Sequence, residues 1–84
     1  MNVRVLYFAR LRETFGIAQE SITFAQPATV ADLLALLRAR GGAWFSELEE
    51  GRAYRVAVDQ EVADASTPLT EGAEVAIFPP VTGG

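Results

Sequence analysis

The sequence predicts an α+β domain in which a mixed sheet packs one face against a single main helix. Three observations carry this. Short runs near residues 2–8, 19–24, 54–58 and 74–78 are apolar and β-branched with period-two alternation, the signature of strands. One long segment, 29–40, repeats its apolar residues at helical spacing. Strands flank that segment on both sides, and one amphipathic helix can cover only one face of a sheet of this size. With 84 residues, half of them hydrophobic, the chain makes one domain with a real core.

In chain order, Asn2 to Phe8 reads as a strand with Val3, Val5 and Tyr7 on one face and Arg4, Leu6 and Phe8 on the other. Leu11 and Phe15, four apart, mark a short helical turn that Gly16 closes in a left-handed conformation. Gln19 to Phe24 is the second strand, with Ile22 and Phe24 opposite Ser21 and Thr23, and it returns antiparallel to the first. Pro27-Ala28 breaks the chain, and Thr29 with Asp32 three residues on forms a helix start. Val30, Leu33, Leu34 and Leu37 make the apolar stripe, Arg38 and Arg40 suit the last turn, and Gly41-Gly42 stops the helix.

Ala43 to Glu50 predicts another short helical segment. Trp44, Phe45 and Leu48 are expected to close the open end of the core, leaving Glu47, Glu49 and Glu50 in water. Tyr54, Val56 and Val58 alternate in a third strand, Asp59-Gln60-Glu61 turns the chain, and Val62-Ala63 is a short edge strand. Glu74 to Phe78 is the last strand. If Val3, Val5, Val75 and Ile77 face the helix, then Leu6, Phe8, Ala76 and Phe78 point outward, with Val62 nearby. A solvated sheet face normally alternates to polar residues. Either this face is an interface, or Trp44 or a loop folds over it.

Composition narrows the function. The chain has no cysteine and no histidine, so it lacks a thiol nucleophile and the commonest general base and metal ligand. Its seven basic residues are all arginine, so no side-chain amine is available for a Schiff base or an isopeptide bond. The net charge of −4 and pI near 4.6 argue against nucleic acid as a partner. No run reaches the ~20 apolar residues of a membrane span, and no signal peptide is evident, so a cytoplasmic location without a membrane partner is expected.

The most informative stretch is Pro79-Pro80-Val81-Thr82-Gly83-Gly84. Two prolines end the strand at Phe78 and hold the chain extended. Six extended residues reach ~20 Å at ~3.3–3.6 Å each. The expected organisation is thus a domain over 1–78 and an extended tail over 79–84. A Gly-Gly ending alone also fits a frayed end. The stiff lead-in favours presentation of an unhindered glycine carboxylate to a narrow site on another protein.

Taken with Val5-Leu6-Tyr7-Phe8-Ala9, Leu11-Arg12-Glu13, Pro68-Leu69, Gly72 and Glu74-Val75-Ala76, the closing Phe78-Pro79-Pro80-Val81-Thr82-Gly83-Gly84 resembles the small subunit family of molybdopterin synthase. The likeness covers nearly the whole chain, except that Gly41 to Arg52 is not diagnostic. It implies a β-grasp, ubiquitin-like fold and a sulfur carrier in molybdenum cofactor biosynthesis. An E1-like enzyme would use ATP to adenylate Gly84, and a sulfur donor protein would make the thiocarboxylate. The carrier itself would bind no cofactor. The large synthase subunit would take the sulfur to cyclic pyranopterin monophosphate, in a heterotetramer of two small and two large subunits. By the same resemblance Phe8, Val62 and Phe78 would bind the large subunit, and Pro79, Pro80, Val81, Thr82 and Gly83 would thread Gly84 into its active site. Carriers for thiamine or tRNA thiolation, ubiquitin-like modifiers, and a β-grasp binding module with an inert tail share parts of this pattern. The Phe-Pro-Pro-Val-Thr lead-in separates the leading reading from them.

Overall fold

The computed structural model describes residues 1–80. The elements in order are β1 (Asn2–Tyr7), α1 (Ala9–Phe15), β2 (Gln19–Thr23), α2 (Val30–Arg38), α3 (Ala43–Leu48), β3 (Arg55–Val58), β4 (Glu61–Ala63) and β5 (Glu74–Phe78). The five strands form one sheet in the order β2-β1-β5-β3-β4. The central pair, β1 and β5, is parallel, and every other pairing is antiparallel. The first and last strands in sequence thus lie side by side, and both leave the sheet at the same end. This is the β-grasp arrangement. No helix among the described residues is long and apolar enough to cross a membrane.

The helical stripe does what its spacing predicts. Val30, Leu33, Leu34 and Leu37 are buried against Val3, Val5, Tyr7, Ile22, Val56, Val75 and Ile77 of the sheet. The start of α2 is fixed by a reciprocal cap. The Asp32 amide donates to Thr29 Oγ1 at 3.4 Å, and the Thr29 amide donates to Asp32 Oδ2 at 2.8 Å. The β3–β4 hairpin turns through Asp59 (φ 49°) and Gln60 (φ 73°), both left-handed, which matches the twist of the strands. The Asp59 carboxylate also accepts from the Glu74 amide at 3.0 Å, tying this turn to β5.

One end of the core is closed by an aromatic cluster under an ion pair. Trp44 stacks on Phe15 (3.9 Å between centroids, 7° apart), and both meet the Tyr7 ring edge-on. The Arg40 guanidinium lies 4.4 Å over Trp44 and makes two 2.8 Å bonds to Glu20. The Tyr7 hydroxyl donates to Glu20 Oε2 at 2.6 Å. Burial and the Glu20 carboxylate both push the Tyr7 phenol above its ordinary range. The Arg40 bonds hold the Glu20 carboxyl below its ordinary range.

Several expectations need correction. Strand β1 stops at Tyr7, because Phe8 becomes the residue before α1, with extended backbone (φ −120°, ψ 153°), and Ala9 turns the chain at φ 52°. Phe24 and Tyr54 likewise fall just outside their strands. Phe45 does not cover the core but is 52% exposed, while Trp44 and Leu48 do the sealing. Glu47 is not in water. Its side chain is 15% exposed and lies between Arg10 (3.2 Å) and Arg52 (3.6 Å), which join α1 and the 49–54 loop to α3.

Candidate functional site: the outer sheet face and the root of the tail

The register assembles the outer face from the residues upward. Leu6 pairs with Ala76, Ala76 with Ala57, and Ala57 with Val62, so these four form one row across β1, β5, β3 and β4. Partners directly opposite in a sheet share a face. The next row toward the tail holds Phe8 and Phe78. Phe8 keeps extended backbone beyond β1 and its amide donates to the Ile77 carbonyl at 3.2 Å, so alternation carries it to the side of Leu6. Phe8 is 44% exposed and Val62 78%, while Leu6, Ala76 and Phe78 are half-buried. Trp44 packs at the inner face beside Tyr7 and does not cover this patch. Among the described residues, the cover expected from Trp44 is thus absent from the outer face.

The borders of the patch are polar. Strand β2 places Gln19, Ser21 and Thr23 along one side. Arg4 and Glu74, opposite each other in the β1–β5 register, ion-pair and close the end remote from the tail. At the tail end Arg55 sits opposite Phe78 in the β3–β5 register. A cleft of about 270 Å³ opens between α2 and the β3–β4 edge, lined by Val30, Leu34, Tyr54, Arg55, Val62 and Asp64 among others.

Of the residues the sequence nominates, Phe8, Val62 and Phe78 are brought onto one face. Pro79 and Pro80, partly buried, follow directly from β5 as its continuation. Val81, Thr82, Gly83 and Gly84 lie outside the described residues. Two members of this face were not nominated. Ala57 completes the apolar row and Arg55 borders it, and the alternation of Tyr54, Val56 and Val58 already assigns both to the opposite side of β3.

The ThiS family profile matches residues 5–84. The chain belongs to the ThiS family. Among ThiS-type relatives, the molybdopterin synthase sulfur carrier subunit of Escherichia coli is 40% identical over 82 residues, covering 98% of this chain and 99% of that one. Among solved structures, a molybdopterin converting factor subunit 1 from Pyrococcus furiosus superposes with a TM-score of 0.81 at 29% identity, over 96% of this chain and 99% of that chain. A complex of subunits 1 and 2 of the molybdopterin-converting factor from Helicobacter pylori contains a chain that matches with a TM-score of 0.70 at 26% identity, all of both chains being covered. The ThiS-family fold and the β-grasp topology agree.

Proposed function

We propose that this chain is the sulfur-carrying subunit of a molybdopterin synthase, and that Gly84 is its reacting residue. One observation carries the reading: the family match spans residues 5–84 and so includes Gly84, and the strand that leads to it borders an apolar face with Phe8 and Val62 exposed.

The chemistry suits a carrier with no base or nucleophile of its own. A carboxylate resists attack because further charge must be placed on an anion. Transfer of AMP from ATP to the Gly84 carboxylate, with release of pyrophosphate, gives an acyl adenylate with a good leaving group. A donor protein's persulfide then attacks the acyl carbon and expels AMP. A second thiol on the donor cleaves the resulting acyl disulfide, leaving a thiocarboxylate here and a disulfide there. The thiocarboxylate is nucleophilic without any cysteine in this chain. An E1-like enzyme supplies ATP binding and acid–base groups, and the large synthase subunit supplies the pterin site. The outer face around Phe8, Val62 and Phe78 docks that subunit, while Pro79 to Gly83 span the distance to its reaction chamber. The assembly is two small with two large subunits, acting in the cytoplasm.

Intact mass tests the core of this. Incubation with the activating enzyme, ATP and a sulfur source raises the mass by the difference between sulfur and oxygen. An unchanged mass under conditions that load a known carrier overturns the proposal.

A further inference from the structure

We infer that Arg55 is a docking residue that meets a carboxylate on the protein receiving the tail, and so helps decide which partner the apolar face accepts. This rests on the proposed role of that face and adds to it a residue and a partner chemistry. Arg4, Arg10, Arg40 and Arg52 are held in ion pairs, and Arg38 donates to the Leu48 carbonyl at 3.0 Å. Among the described residues, only Arg12 and Arg55 have no hydrogen-bond or ion-pair partner of this kind. Arg12 lies on α1 and is not part of the sheet. Arg55 lies in the sheet, exposed, on the outer side with Ala57.

The acid nearest to it in the register bonds to its own loop instead. Continuing the β3–β4 register one step past Val56 and Ala63 brings Asp64 opposite Arg55. The Asp64 carboxylate accepts from the Ser66 amide at 2.9 Å and the Ser66 hydroxyl at 2.6 Å. Those bonds hold its carboxyl below the ordinary range. At the opposite border of the patch the Arg4 charge is matched by Glu74. Among the described residues, the apolar face therefore has one border closed by an ion pair and one border whose arginine forms none, directly beside Phe78.

A partner that covers Phe78 also removes water from around the Arg55 guanidinium. Taking a charge out of water without an acceptor is unfavourable. The planar fork of an arginine is best met by a carboxylate in two parallel bonds. Such a pair contributes as much to discrimination as to affinity, because a partner with a cation or an apolar group at this point is rejected. Overall the chain carries −4, so an attraction to a basic partner surface would be general, whereas an acid opposite Arg55 is local and fixes the orientation of docking.

The test is titration calorimetry of the full-length chain against the large synthase subunit, at low and high salt. Arg55→Ala is expected to weaken binding ~5- to 10-fold and Arg55→Glu ~100-fold, because covering Phe78 desolvates the pair. Both flatten the salt dependence of affinity, whereas Phe78→Ala weakens binding and leaves the salt slope unchanged. Arg55→Lys restores the slope and part of the affinity. Circular dichroism checks that each variant is folded, and Arg55→Gln serves if the reversal to glutamate is not. Binding of Arg55→Glu within ~2-fold of the unsubstituted chain, or a loss with the original salt slope, overturns the inference. If the unsubstituted chain fails to bind, the proposed function falls first and the inference falls with it.

Discussion

The two faces of the sheet are built from the same strands, residue by residue, and they have opposite uses. Val5 and Leu6 are neighbours in β1, as are Ile77 and Phe78 in β5. Val5 and Ile77 have no exposed surface, while Leu6 and Phe78 are half-buried with no helix above them. Both faces are apolar at these positions, so hydrophobicity alone does not distinguish them. What distinguishes them is coverage: α2 supplies Val30, Leu33, Leu34 and Leu37 to the inner face, and nothing among the described residues does the same for the outer one. A contiguous apolar patch that folding leaves partly open marks an interaction surface. The inner face therefore serves stability, and the outer face is the proposed docking surface.

The sharpest way to break this comparison is to substitute adjacent residues. Ile77→Ala removes buried methylenes and leaves a cavity under α2, with an expected cost of ~2–4 kcal/mol. For a domain of this size each kcal/mol lowers Tm by ~4–8 °C, so a calorimetric scan reads the loss easily. Phe78→Asp is expected to cost ~1 kcal/mol or less in stability yet to abolish measurable binding of the large subunit. If Phe78→Asp unfolds the chain and Ile77→Ala does not, the face assignment is inverted.

A second effect belongs to the closed end of the inner face and can be read against pH. The Glu20 carboxyl, held low by Arg40, is charged in the fold at pH values where it is protonated in the unfolded chain. The folded pKa is depressed, so its contribution is present above its unfolded value of about 4.5 and fades as pH falls through the folded pKa. Glu20→Gln is expected to cost ~1–2 kcal/mol at neutral pH and much less in acid. Denaturant melts of both proteins at neutral and acid pH give the difference directly. A gap between them that does not shrink as pH falls would show that shape, and not charge, is what Glu20 provides.

On the outer face the matching experiment is Val62→Asp. With Val62 78% exposed, stability is expected to stay within ~0.5 kcal/mol while binding weakens by ~10-fold or more. The position also shows how much was legible in the sequence. Alternation sorts Val3, Val5, Val75 and Ile77 from Leu6, Ala76 and Phe78 correctly, because period two is a property of the backbone and needs no tertiary information. The α2 stripe and its Thr29–Asp32 start are equally local. What local pattern could not supply is contact across the chain. Glu47 looks like a solvated acid until the fold sets Arg10 and Arg52 beside it, and Phe45 looks like a core residue until Trp44 takes the place above Phe15. Arg55 was assignable to the outer side by parity, but its significance depends on Asp64 being engaged by Ser66, which only the folded loop shows.

The smallest expected effect concerns what keeps the two faces from exchanging. In β4 the pairing of Ala57 with Val62 and Val56 with Ala63 is set by the two-residue turn at Asp59-Gln60. A slip of one residue would carry Val62 to the inner face and Ala63 to the outer one. Both turn residues have positive φ, and Gln60, at 73°, has neither the glycine nor the short polar side chain that tolerates this region best. Gln60→Gly is therefore expected to stabilise the chain by ~0.5–1 kcal/mol, the relief of left-handed strain exceeding the added freedom of the unfolded state. Docking should be unchanged, because the register that presents Val62 is the same. A stabilised variant that binds less well would mean that the turn tunes the position of Val62 and does not merely hold its register.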